Sequence, residues 1–133
     1  MPHQTIRPDG WAAPSGYADA IAATGRTIFV AGQVGWNPAT TAFETDEFAS
    51  QAIQALENVV TILQAAGAEP RHLTRMVWYV TGRGEYEGAR RAIGTAWRRI
   101  IGTHYPAMSL VIVAGLLEPR ARVEIEATAV VPA

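Results

Sequence analysis

Cysteine is absent from this 133-residue sequence. That excludes a disulfide framework, a thiolate zinc site and a cysteine nucleophile together, and it suits a reducing compartment. An excess of either charge is also missing: eleven basic residues face twelve acidic ones, for a formal net charge of −1. Nucleic-acid binders carry a basic patch or stripe. Here the arginines between Arg83 and Arg122 are interrupted by apolar residues and read as a solvated helix face. No apolar run is long enough to span a bilayer, and Met1 to Gly10 contains no stretch of signal-peptide type. Histidine occurs only at His3, His72 and His104, so no metal-ligand cluster is apparent. The expectation is a soluble cytoplasmic protein that binds neither nucleic acid nor membrane and holds no metal.

What is present points to one compact unit. Hydrophobic residues make up 49% and charged residues 17%, a balance that excludes disorder. The length suits one core, so a single domain over 1–133 is expected. Residues 1–13, with Pro2, Pro8 and Gly10, read as an irregular arm. Ala20, Ala22, Ile28 and Val30 flank Thr24-Gly25-Arg26-Thr27, which predicts a hairpin between Tyr17 and Ala31. A turn-rich connection runs from Gly32 to Thr45. Thr45 or Asp46 then caps an amphipathic helix carrying Phe48, Ala52, Leu56, Val59 and Leu63, which ends before Gly67. A strand over Leu73–Thr81, a second helix over Glu85–Ile101, and strands over Ala107–Ala114 and Arg122–Val131 complete the chain.

The predicted order is β-β-α-β-α-β-β, an α+β sheet with two helices packed on one face. The strand from Ala107 is apolar on both sides, with Met108, Leu110 and Ile112 on one and Ala107, Val111 and Val113 on the other. Two helices cover only one face, so another subunit is expected on the second. In the last strand, Glu124 and Glu126 share one face while Val123, Ile125 and Ala127 share the other. In a subunit seam such a carboxylate suits proton transfer. The alternative is a wet strand face whose glutamates pair with Arg122 or Arg120.

Several stretches, taken in order, resemble the RidA family. They are Phe29-Val30-Ala31-Gly32-Gln33, Gln54-Ala55-Leu56-Glu57-Asn58-Val59 with Ala65-Ala66-Gly67-Ala68, Tyr105-Pro106-Ala107, and Val123-Glu124-Ile125-Glu126-Ala127-Thr128-Ala129. The likeness extends from about Tyr17 to Val131. It implies a chorismate-mutase-like subunit, a homotrimer with clefts at the subunit interfaces, and hydrolysis of reactive enamines and imines without any cofactor. Glu124 falls on the family's water-positioning glutamate. Tyr17 falls on a tyrosine able to donate to a ligand or stack on a planar imine, with an interface anchor as the other reading. Gly32 permits close approach of a ligand, or else serves turn geometry.

One position departs from the family. Where deaminating members carry the arginine that grips a substrate carboxylate, this chain has Met108. Loss of such a charge-assisted pair is worth on the order of 2–5 kcal/mol, enough to remove useful turnover of a simple 2-imino acid. Leu110 stands where some members have cysteine. Arg90, on the second helix beside Glu87 and Gly94, reads alone as a solvated surface residue. Its alignment with an asparagine near the family's cleft makes it a candidate replacement for the lost arginine, and His104 and Tyr105 are further candidates for the cleft wall. The resulting expectation is an enamine or imine hydrolase with a less usual small-molecule substrate, against the alternative of a non-catalytic metabolite-binding or regulatory trimer. Ribonuclease activity, also attached to the family, is disfavoured by the balanced charge and the lack of a paired-histidine site.

Overall fold

The structure is a computed structural model that describes residues 3–133. Its strands and helices are β1 (Gln4–Ile6), β2 (Ala20–Ala22), β3 (Arg26–Val34), α1 (Phe48–Ala65), β4 (Leu73–Val80), α2 (Arg83–Ile100), β5 (Ala107–Ile112) and β6 (Val123–Val131), with a single 3-10 turn at Pro70–His72. A four-stranded sheet runs in the order β3-β6-β4-β5. β6 is antiparallel to both β3 and β4, while β5 joins the edge of the sheet parallel to β4. From β2 onward the order is the predicted β-β-α-β-α-β-β, and both helices pack on one face of the sheet. No described helix is long and apolar enough to cross a membrane.

The core follows from side-chain period. In β6, Val123, Ile125, Ala127 and Ala129 are buried while Glu124, Glu126 and Thr128 are half-exposed, the alternation of a strand with one covered face. In α1, Phe48, Ala52, Ala55, Leu56, Val59 and Leu63 form the matching buried stripe. α2 adds Ala89, Ile93 and Trp97 to the same cluster. The other face of the sheet carries Phe29, which is 81% exposed, and Val111, with neither helix over them.

The N-terminal third departs from expectation. Ala20–Ala22 does not form a hairpin with the strand after it; it pairs antiparallel with Gln4–Ile6 in a separate two-stranded ribbon. The arm is therefore strand rather than irregular over Gln4–Ile6. Gly25 lies at a close approach between strands rather than in a hairpin turn. Its φ is 150°, and a Cβ there would lie 2.0 Å from the Val131 carbonyl oxygen. The glycine seats the start of β3 against the end of β6 instead of making a tight reversal. β3 also continues past Ala31 to Val34, with a register shift between Val30 and Gln33.

Helix α1 starts later than predicted. Glu47 is its N-cap, and Thr45 Oγ1 accepts a hydrogen bond from the Glu47 amide (3.0 Å) in the turn before it. The connection into the helix is held by Gln51, which is fully buried. Its Nε2 donates to the carbonyls of Thr45 and Arg120, both at 3.0 Å, and its Oε1 accepts from the Arg122 amide at 2.9 Å. One side chain thus satisfies three backbone groups that join α1 to the segment entering β6. Gly35 makes room for it, because a Cβ there would lie 2.4 Å from the Gln51 carbonyl oxygen.

Two stability outcomes follow. Gln51→Leu keeps the volume but orphans those backbone groups, and is expected to cost about 2–4 kcal/mol in urea denaturation. His72 is buried at the 3-10 turn, and its Nδ1 accepts from the Glu69 amide at 3.0 Å. Burial first, then the Arg71 charge, holds its imidazole below the ordinary value of 6.5. The unfolded chain therefore takes up this proton more readily, so the contribution is present above that value and lost as pH falls through it and below. Thermal midpoints are expected to begin dropping as pH approaches 6.5 from above and to go on dropping below it. His72→Asn, whose amide oxygen can replace Nδ1, should flatten that dependence; an unchanged slope would refute the assignment.

Candidate functional site

The residues singled out in the sequence fall on two opposite faces of the sheet. Tyr17, Arg90 and Met108 line one cleft of about 410 Å³ between α2 and the β4–β5 edge. α2 supplies Tyr86, Arg90, Ile93, Gly94 and Trp97, which recur at three- and four-residue steps and so share one stripe. β5 supplies Met108 and Leu110, whose register partners on β4 are Met76 and Trp78. Met76 and Trp78 face the helices, so Met108 and Leu110 do too. Ser15 to Tyr17 closes the cleft from the N-terminal side, held in place where the Ala18 amide donates to the Pro106 carbonyl at 3.0 Å. Tyr17 keeps 43% of its surface exposed.

Aromatic side chains, Tyr17, Trp78, Tyr86, Trp97 and Tyr105, form much of the lining of this cleft. On α2 the spacing of Tyr86 and Trp97 is the same for a core stripe and for a cleft wall, so sequence pattern alone does not distinguish the two. Trp97 stacks on Tyr105 with ring centroids 5.7 Å apart and planes 3° from parallel. Its indole N–H donates to the His104 carbonyl at 3.1 Å. Trp78 is 3% exposed, and its indole N–H has no acceptor among the described residues. Of the other two candidates for the wall, Tyr105 lines the cleft and His104 does not. The His104 Nε2 is hydrogen-bonded to the Leu73 carbonyl at 2.7 Å.

Glu124 and Gly32 lie together on the face away from the helices. Gly32 is within β3 rather than in a turn, and a Cβ there would lie 2.5 Å from Glu124 Oε1. The missing side chain makes space for the glutamate. Glu126, on the same face, accepts a hydrogen bond from the Tyr79 hydroxyl, and this bond, more than burial, raises the phenol above its usual 10.0. The glutamates do not pair with Arg122 or Arg120. Arg122 bonds Glu85 and Arg120 bonds Asp46, each at 3.0 Å. Among the described residues the Glu124 carboxylate accepts no hydrogen bond, which leaves it available for water or a ligand.

The available chemistry is narrow. All eleven basic residues are arginine and cysteine is absent, so neither a lysine Schiff base nor a thiol adduct is open to this chain. No group of three or more potential metal ligands occurs among the described residues. Nitrogens of His3, His72 and His104 are engaged with backbone. What remains is a carboxylate, phenols, the hydroxyls of Ser15 and Ser109, and arginine. The site residues also stand apart: Glu124 and Met108 cannot meet within one subunit, because the pleat sends them to opposite sides.

Comparison with known proteins agrees with the fold and the motifs. The family model for Endoribonuclease L-PSP matches residues 9–131. The chain is 29% identical over 115 residues to a 2-iminobutanoate/2-iminopropanoate deaminase of Dermatophagoides farinae, covering 86% of this chain and 85% of the relative. The crystal structure of YyfB from Yersinia pestis, a protein of unknown function of the conserved Rid protein family, matches with a TM-score of 0.84 and 31% identity over 98% of this chain and all of that one. Escherichia coli TdcF with bound serine matches with a TM-score of 0.71 and 28% identity, with 98% of each chain covered. With its sequence motifs, its sheet order and the matched model in agreement, the chain belongs to the RidA family.

Proposed function

We propose that this protein is an enamine or imine hydrolase of the deaminase type, acting without a cofactor in clefts between the subunits of a cytoplasmic homotrimer. The observation that carries the reading is the division of the site. A cleft with Tyr17, Arg90 and Met108 lies on one face, and Glu124, whose carboxylate accepts no hydrogen bond among the described residues, lies beside Gly32 on the other. A second copy is the simplest means of bringing the two sets together, and the uncovered sheet face with Phe29 gives it a surface to bury. The likeness to a 2-iminobutanoate/2-iminopropanoate deaminase and to a serine-binding TdcF supports both the reaction class and a small amino-acid-like ligand.

In this mechanism Glu124 accepts a proton from water as its oxygen adds to the carbon of a C=N bond, giving a carbinolamine. With the C=N nitrogen protonated at the outset, the proton held by Glu124 then passes to the carbinolamine nitrogen, the C–N bond breaks and ammonia leaves, and the hydroxyl gives its proton back to Glu124 as the carbonyl forms. An enamine first takes a proton from solvent on carbon to become this protonated imine. The absence of lysine and cysteine favours direct attack by water over a covalent intermediate. Met108 removes a charged anchor from the β5 side of the cleft, which favours a substrate other than the simple 2-imino acids.

The test is competition with semicarbazide for imines generated in situ by an amino-acid oxidase, with 2-aminoacrylate supplied by a dehydratase. Glu124→Gln is expected to lower hydrolysis by about 10²- to 10⁴-fold, while sedimentation still reports a trimer. Undiminished hydrolysis in that variant would sink the mechanism, and a monomer in the wild type would sink the shared cleft. Met108→Arg is expected to raise turnover of 2-aminoacrylate. A wild type inert toward every imine, yet thermally stabilised by the corresponding keto acids, would establish the non-catalytic binding trimer instead.

A further inference from the structure

The α2–β5 cleft is lined by aromatic side chains on both walls, with Tyr86 and Tyr105 half-buried and Trp78 and Trp97 buried behind them. Trp78, Tyr86, Trp97 and Tyr105 all line it. The Trp97–Tyr105 stack and the bond from Trp97 to His104 hold two of these rings as one rigid slab. Arg90 lies on the same helical stripe, between Tyr86 and Gly94. Gly94 is in the helix interior, where glycine is unfavourable relative to alanine. A Cβ there would meet nothing within 4 Å, so packing within the subunit does not demand glycine. The bare backbone leaves the cleft open beside Arg90. The volume of about 410 Å³ falls within the range of small-molecule sites.

We infer that the cleft takes an α-imino or α-enamine acid with a planar aromatic side chain, its ring on the wall that presents Tyr86 and Tyr105 and its carboxylate on the Arg90 guanidinium. A planar ring can stack on phenol faces. The guanidinium offers a planar fork of donors that matches a carboxylate. The cation lost at Met108 is thereby replaced from the opposite wall, and Met108 adds an apolar, adaptable surface under the ring. This assignment rests on the cleft being the substrate site of the proposed hydrolase.

Calorimetric binding of stable 2-keto acid products tests it without turnover. Wild type is expected to bind phenylpyruvate at least about 30-fold more tightly than pyruvate, the return for burying a phenyl ring. Arg90→Leu is expected to weaken phenylpyruvate about tenfold and to leave neutral phenylacetone unchanged, while Gly94→Leu weakens both aromatic ligands. Arg90 is exposed and Gly94 unpacked, so both variants should fold, which circular dichroism checks. Equal or tighter binding of pyruvate overturns the aromatic class, and unchanged phenylpyruvate affinity in Arg90→Leu overturns the anchor. Hydrolysis confined to aliphatic imines overturns this assignment and leaves the hydrolase reading standing. Aromatic preference with no hydrolysis of any imine does the reverse.

Discussion

Strand β6 is hydrogen-bonded on both sides, to β3 and to β4, and its two-residue period governs what each face of the sheet can do. Val123, Ile125, Ala127 and Ala129 belong to the core under the helices. That commits Glu124 and Glu126 to the opposite face, since a slip of one residue would bury two carboxylates and expose four apolar side chains. The register is pinned at both ends. Gly25 lies against Val131 at one end, and Gln51 holds the Arg122 amide at the other. The position of Glu124 is therefore a consequence of core packing, and Gly32 accommodates it.

Much of this was legible in the sequence, for physical reasons that also explain what was not. The helices and β6 carry strong periodicity over many residues, so their type and buried faces could be read directly. The hairpin at Thr24–Thr27 rested on a glycine, which signals only that the backbone is unusual there. Whether it turns the chain or admits a neighbour was decided by Val131, more than a hundred residues away in sequence. The β1–β2 ribbon was hidden for a related reason: three-residue strands have too little pattern to register. Among the candidate residues, the family likeness pointed to Glu124, Tyr17, Gly32 and Met108 and the alignment to Arg90; Tyr17, Arg90 and Met108 share the cleft, whereas Glu124 and Gly32 lie together on the other face. Tyr86 and Trp97 could not be told from core residues by pattern, because they follow the same helical stripe as the core residue Ile93.

Charge composition narrows the chemistry from another direction. Apart from the three histidines, every basic side chain is a guanidinium, which remains protonated and cannot act as a nucleophile or base near neutral pH. Among the described residues, the guanidiniums with a hydrogen-bond or ion-pair partner serve structure: Arg71, Arg99, Arg120 and Arg122 pair with carboxylates, and Arg26 bonds the Ala66 carbonyl at the end of α1. Arg90 has no such pairing among the described residues and lines the cleft, so its charge is available to a ligand.

The separation of the two residue sets has a consequence for how the proposed activity depends on assembly. Side chains on opposite faces of a sheet are kept apart by the pleat itself, and no change of rotamer brings Glu124 into the α2–β5 cleft. A loop closure would have to cross the edge strand β5, whose register with β4 is continuous from Ala107 to Ile112. Juxtaposition by a second copy requires neither. It leaves every strand in place and covers the face on which Phe29 and Val111 are exposed. On that reading, burial of apolar surface and completion of the site are a single event, and an isolated subunit has a cleft that can bind but no carboxylate to direct water into it.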